Sequence, residues 1–309
     1  MKAKDQINLD SAKNIILESG QSQQKADGKN SNAGLSVGVG ASVGAQTGVY
    51  VYGEAGWGQG SNHLDSNTHN QTTLQSDQIN IKSKGDTTLN GAQAIANRID
   101  ADVGGKLSII SAQDRVDQDT KQTSIGGRVQ ASLGTAWQAS GNLSSSNASG
   151  SSNGVDQQSG LFAGDGGYHV KADSVDLKGG AIVSTASKDK NDLSTNSLTF
   201  SNIENNSAYN ATTVSLSGGY GSTKENATPT SNENWRDSKS FSPSLPQQEK
   251  GKDSTTTYAT LSDGNLTIGG QATTTEALGI HNDAATAHQK VDTLPNLQEI
   301  LDKQKTVAD

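Results

Sequence analysis

The chain has 309 residues, of which 30% are hydrophobic and 4% aromatic, with 35 glycines and a formal net charge of −8. The length would suit two ordinary domains, yet so little apolar content excludes a large globular core, and regular apolar bursts with modest charge argue against disorder. The absence of cysteine excludes disulfides and thiolate metal sites, and no apolar run approaches the length of a membrane helix.

Met1–Asp5 leads into no signal-peptide core, so for a chain acting outside the cell Met1 is expected to be an internal cut in a longer exported polypeptide. Asp5-Gln6-Ile7-Asn8-Leu9 is nearly repeated at Asp77-Gln78-Ile79-Asn80-Ile81 and again at Asp173-Ser174-Val175-Asp176-Leu177. Between Asp77 and Ser111 the apolar residues fall in short bursts (Ile79 and Ile81, Leu89, Ile99, Leu107 and Ile109) separated by turn residues such as Lys84-Gly85-Asp86 and Gly104-Gly105. A burst about every ten residues is too slow for a helix. It is the spacing of a β-solenoid, whose coils each bury a few inward side chains against the coils above and below.

A second pattern interrupts these rungs. Leu35, Val37, Val39, Ala41, Val43 and Ala45 alternate strictly with Ser and Gly, and Val49, Val51, Ala55 and Trp57 follow, which predicts a two-faced hairpin. About ninety residues on, Ile125, Val129, Ala131, Leu133, Trp137, Ala139 and Leu143 repeat the design, and Thr212-Val214-Leu216 with Gly218-Gly219-Tyr220-Gly221 gives a shorter version. Residues 1–223 therefore read as about three modules of rungs plus hairpin. Three of the four prolines, Pro229, Pro243 and Pro246, mark 224–257 as a loop or linker. Leu261, Leu266 and Ile268 give a final rung within 258–285. From Thr286, Ala287, Val291, Leu294, Leu297, Ile300 and Leu301 are three and four apart, predicting a C-terminal amphipathic helix over 286–309, restarted at Pro295 and capping the column.

Chemical motifs are weak. Gly34-Leu35-Ser36-Val37-Gly38 and Gly40-Ala41-Ser42-Val43-Gly44 match the nucleophile-elbow pattern, but the strand alternation runs through both, so neither is expected to turn and expose a serine. Gly164-Asp165-Gly166-Gly167 occurs once and reads as a turn, not a calcium roll. His63, His69, His169, His281 and His288 lack metal-ligand spacing and read as surface residues. Asp100, Asp102, Asp114, Arg115, Asp117 and Asp119 form the densest charged patch, the place to look for a polysaccharide-acting solenoid enzyme, but with three Trp and an acidic balance a sugar groove is not supported. Without basic clusters interleaved with aromatics, no nucleic-acid partner is expected, and no catalytic residue, metal or cofactor is expected either. The alternating stretches remain. Leu35–Ala45 has the length and alternation of a membrane-crossing strand, which makes Leu35, Val37, Val39, Val43, Val49, Val51, Trp57, Val129, Leu133 and Trp137 candidate membrane-engaging residues, against the alternative that the hairpins pair with each other or pack on the column.

The stretches Gly154–Tyr168, Leu177–Ala186 and Leu198–Asn205 closely resemble the haemagglutinin-repeat region of two-partner-secreted proteins. These are the filamentous haemagglutinin-like adhesins and, more specifically, the effectors of contact-dependent growth inhibition. Gly105–Asp114 with Lys121–Gly127 resembles the same recurrent unit, and Leu294–Leu301 resembles the place where the repeats end and a pretoxin segment begins. The resemblance runs from about Asp5 to Leu301. It implies an all-β fold, with right-handed parallel β-solenoid rungs, Gly/Ser-rich amphipathic β-hairpin excursions and a short C-terminal helix. It also implies export through an outer-membrane two-partner secretion transporter, a secreted or cell-surface location in a Gram-negative bacterium, and action at a target-cell outer membrane. The C-terminal toxin region of such effectors lies after this segment, and no such domain fits after Asp309, so toxic catalysis is not expected. The expected function is toxin delivery, with a passive adhesin stalk as the rival within the family.

Overall fold

The computed structural model describes residues 1–42, 48–132, 136–224 and 235–308. Strands β1 (Gln6–Ser11) and β2 (Ile15–Glu18) form the first part of a coil, after which the chain leaves in a long hairpin, β3 (Gly20–Ser42) and β4 (Gly48–Asn70). It returns through β5 (Thr72–Ser83), β6 (Thr87–Asn90) and β7 (Ala92–Ile110), then leaves again in β8 (Gln113–Ser132) and β9 (Ala136–Val155). The coils resume in β10 (Gly160–Lys178), β11 (Ala181–Ser184) and β12 (Asp192–Ser201). A third excursion comprises β13 (Ile203–Lys224), β14 (Trp235–Pro243) and β15 (Gln247–Thr257), and the chain ends with β16 (Thr260–Leu261), β17 (Asn265–Ile268), β18 (Gln271–Thr273), α1 (Thr275–Leu278) and α2 (Leu297–Ala308).

The coils form a parallel solenoid whose inward residues stack in register. Ile81, Ala101, Val170, Leu193 and Leu266 form one column. Leu74, Ala94, Leu161, Ile182 and Leu261 form a second, and Leu89, Ile109 and Leu177 belong to a third. All are buried. Each large aliphatic side chain contributes roughly 1.5–3 kcal/mol of burial, which is how a chain this poor in apolar residues holds a core. Tyr168 is the aromatic residue of this core, its hydroxyl donating to the Ser262 carbonyl at 2.5 Å. The first two copies of the Asp-Gln-Ile-Asn motif stack directly, Ile7 on Ile79 and Leu9 on Ile81. The third sits on another face, with Val175 over Leu107 and Leu177 over Ile109.

All three excursions leave and re-enter at the same corner of the coil, and only on alternate coils. On the intervening coils that corner is a tight turn through Gly91 or Gly179, whose φ values of 63° and 56° favour glycine. Successive hairpins are thus two coil rises apart. Coils rise by about 4.8 Å, the same spacing that separates neighbouring strands of a sheet, so two rises match the width of one hairpin. The hairpins consequently meet edge to edge: β4 pairs with β8 and β9 with β13, giving one antiparallel sheet, β3-β4-β8-β9-β13, edged by β14 and β15.

Three expectations change. The proline-marked tract at 224–257 is strand over β14 and β15, which pair with β13; Pro243 and Pro246 sit at the join between two edge strands, where a missing N–H costs no ladder bond. Residues 286–296 are not helical, because the strap is held by hydrogen bonds to strand partners such as Thr255 Oγ1 donating to the Gln289 carbonyl. The helix is confined to α2, and it lies on the sheet, with Leu297, Ile300 and Leu301 against Ala148 and Ala211. The column end is instead closed around Ile280 and Leu278.

Candidate functional site

Cross-strand register sorts the hairpin residues onto two faces. One face carries Ala33, Trp57, Ile125, Leu143 and Leu216 in a row; the next row towards the tip is Leu35, Ala55, Gly127, Gly141, Gly218 and Phe241. Then come Val37, Gly53, Val129, Ala139, Tyr220 and Lys239, and after them Val39, Val51, Ala131, Trp137, Ser222 and Asp237. Ala41 and Val49 continue the series. The glycines and alanines of the Leu35 row leave a trench between bulkier rows, about 710 Å³ in volume.

This face is bare. Leu35 is 81% exposed, Val37 80%, Val39 75% and Phe241 73%. Val49, Val51, Trp57, Ile125, Val129, Trp137, Leu143 and Leu216 are also exposed. Typical soluble proteins scatter such side chains singly, whereas a contiguous patch over several strands marks a contact surface. Trp137 and Tyr220 pack with ring centroids 5.3 Å apart, and Tyr220 donates its hydroxyl to Asp237 at 2.7 Å. That hydrogen bond holds the phenol proton, raising the Tyr220 pKa and lowering that of Asp237.

The opposite face is polar. Tyr52 lies across Gly38, where a Cβ would fall 2.6 Å from the ring, and stacks under the Arg128 guanidinium at 4.5 Å. Arg128 pairs with Glu54 at 2.8 Å, and Ser36 donates to the same carboxylate. Nearer the column α2 covers this face, and Gln304 hydrogen bonds to the Ala211 carbonyl and to Thr213. The serines of both nucleophile-elbow matches lie in straight strand over the described residues, as the alternation requires.

Of the candidate residues, Leu35, Val37, Val39, Val49, Val51, Trp57, Val129 and Trp137 come together on the bare face; Val43 and Leu133 lie outside the described residues. Phe241 was missed because it is a single apolar residue in a serine-rich tract; its two-residue alternation with Lys239 and Asp237 was the available signal. The charged patch is divided between two sheets, Asp100 and Asp102 on the solenoid and Asp114 to Asp119 on β8. Gly164–Gly167 is not a turn but an irregularity within β10, where the register shifts between Ala163 and Gly167. Of the five histidines only His63 is exposed; the others are partly buried, His69 hydrogen bonding to Asp114, His288 to Thr257 and His281 to Thr286, and His169 lying between Asp100 and Asp192.

Comparison with known proteins gives this architecture relatives. The hemagglutinin repeat family profile matches residues 1–125. The chain is 39% identical over 223 residues to a deoxyribonuclease CdiA of Yersinia pseudotuberculosis, covering 71% of this chain and 20% of the relative. It is 37% identical to a tRNA nuclease CdiA of Escherichia coli over 71% of this chain and 7% of the relative. With a deoxyribonuclease CdiA of Dickeya dadantii the identity is 34% over 99% of this chain and 9% of the relative. The chain thus spans a fifth or less of each of these relatives. No solved structure matches it. The repeat profile and alignments reaching 99% of this chain lead to a single statement: the chain matches the hemagglutinin repeat over residues 1–125 and is similar in sequence to a segment of the CdiA toxins.

Proposed function

We propose that this chain is a non-catalytic segment of an exported CdiA-like protein and acts in delivering a C-terminal toxin across a target cell's outer membrane. On this reading it leaves its own cell through a two-partner secretion transporter, and the hairpin sheet is the part that engages the target membrane.

One observation carries the reading. The sheet has one bare apolar face and one polar face, and the described apolar band on β3, residues 33–41, is nine residues long, the length with which a tilted strand crosses hydrocarbon. Backbone groups between neighbouring strands are paired, while β3 and β14 are open edges, so on this reading the sheet engages the membrane through its apolar face and would span it only once those edges are closed.

Flotation with outer-membrane vesicles tests this. The parent should float, and a Val37→Asp, Val129→Asp variant should stay in the soluble fraction with its melting curve unchanged. A parent that stays soluble under all conditions would sink the delivery reading and leave the adhesin stalk.

A further inference from the structure

We propose that the bare apolar face ends in a headgroup contact, with Lys29 and Lys121 set against the phosphates of an anionic phospholipid surface. The proposal rests on the membrane reading above and adds to it a partner chemistry and an insertion depth.

The residues below the Trp57 row change character in a fixed order. On the same face, one row further from the tip, stand Ser31, Gln59, Thr123 and Ser145, with Val214 ending the row on β13. The next row holds Lys29, Ser61, Lys121 and Asn147, with no carboxylate. Both lysines are exposed, and neither side chain makes an ion pair or hydrogen bond among the described residues. The two rows after that bring the first carboxylates below the Trp57 row: Asp27, His63, Asp119 and, across the sheet, Lys250, then Lys25, Asp65, Asp117 and Lys252. There Lys25 is engaged by Asp65 at 3.3 Å and His63 by Asp27 at 2.6 Å, while Lys250 and Lys252 stand at the far edge of these rows on β15.

Apolar residues, an exposed tryptophan, small polar residues, unpaired ammoniums and then carboxylates is the sequence of environments met on leaving a bilayer. Tryptophan favours the interface, and lysine extends its stem to reach phosphates. From the Trp57 row to the lysine row is four residues, about 13 Å along a strand and about 9 Å along the membrane normal at a tilt of about 45°. The headgroup layer on each side is roughly 5–8 Å thick, so when Trp57 sits at its inner boundary the lysine backbones lie just beyond its outer one, within reach of their stems. On β3, β4 and β8 the carboxylates beyond would be repelled by anionic lipid, which opposes deeper entry there. Charge complementarity therefore selects an anionic surface over a neutral one.

The test uses the full chain with Trp137→Phe and Trp235→Phe, so that Trp57 alone reports depth. Partition is measured into phosphatidylcholine vesicles and into the same vesicles with phosphatidylglycerol added, with brominated lipids to locate Trp57. A Lys29→Gln, Lys121→Gln variant should lose about fivefold per lysine, about 25-fold together, on the anionic vesicles only. Lys29→Arg with Lys121→Arg should restore binding, and circular dichroism should be the same for all. Equal binding of parent and Gln variant to anionic vesicles would overturn this proposal while leaving the membrane reading intact. A parent that partitions into neither vesicle would overturn both. Selective displacement by inorganic phosphate, compared with chloride at equal ionic strength, would overturn the lipid assignment in favour of a free-phosphate site.

Discussion

The backbone amide of Ser159 donates to Ser111 Oγ across 2.8 Å, closing the neck of the β8–β9 hairpin. Ser111 Oγ in turn donates to the Gly179 carbonyl at 2.7 Å, and Ser159 Oγ accepts from the Ala92 amide at 3.1 Å. Two residues that flank the excursion thus tie it to the coils beside it. Ser111→Ala strands the buried Ser159 amide, while the Gly179 carbonyl keeps the Gln158 side-chain amide as a donor at 3.1 Å, and should cost about 1–3 kcal/mol. Urea denaturation should show it as a lowered midpoint with an unchanged slope.

Ile109 and Val37 are both aliphatic strand residues in opposite situations. Ile109 is fully buried in the column, so Ile109→Ala should cost about 2–5 kcal/mol. Val37→Ser, on the bare face, should change stability by less than about 0.5 kcal/mol. Thermal unfolding of the two variants checks both numbers, and a large loss at Val37 would mean that the face is covered.

Gly179 and Gly53 separate backbone need from simple lack of a side chain. At Gly179, with φ of 56°, a Cβ would also lie 2.7 Å from Ile203 Cδ1, so Gly179→Ala should cost about 1–3 kcal/mol. At Gly53 the nearest atom to a Cβ is Val37 Cγ1 at 3.9 Å, and Gly53→Ala should stabilise by about 0.5–1 kcal/mol. Denaturant midpoints of the pair should therefore move in opposite directions.

His288 makes the C-terminal strap sensitive to acid. Its ring lies between Thr257 Oγ1 and the Asp156 carbonyl, with Lys290 and the Asp156 carboxylate as the charged groups facing it. Burial pushes the imidazole below its ordinary value of 6.5. The folded strap then binds the proton less readily than the unfolded chain, so its stability is full above about 6.5 and is lost as pH falls through the lower folded pKa. His63, whose proton is held by Asp27, has the opposite sign: its contribution is present below that value and lost as pH rises. Hydrogen-exchange protection over residues 287–296, corrected for the intrinsic rate at each pH, should fall in acid in the parent and much less in His288→Gln, which keeps the Thr255 and Asp253 contacts to the strap.

Period and alternation made much of this legible. Bursts such as Ile79-Asn80-Ile81 announce an inward and an outward residue, and the stacking of Ile7 on Ile79 follows from the repeated motif. The placement of Val175 and Leu177 over Leu107 and Ile109 was not legible, because the same short pattern serves any face of a coil. Nor was the pairing of hairpins into one sheet, which depends on which corner each leaves from. Phe241 and the strands around Pro243 were hidden because edge strands need only one partner and tolerate proline and serine. The helix at Leu297–Ala308 was read too long because Ala287, Val291 and Leu294 keep a helical spacing while serving an extended strap: Val291 and Leu294 fit where Gly154 and Gly150 lack side chains.

The corner shared by all three hairpins imposes a parity rule on how such a chain can grow. Thr72 pairs with Ala92 and Gly160 with Ala181, so a single coil is about twenty residues, and gaining one between hairpins would displace the next hairpin by one strand spacing, about 4.8 Å. That leaves a gap one strand wide, and the sheet splits into two with new open edges. Duplication of a whole unit, a pair of coils with its hairpin, keeps every neighbour in place and adds two strands. Lengthening the column and widening the bare apolar face are therefore a single event in such a lineage, and a frame of coils and hairpins is inherited much as a reading frame is.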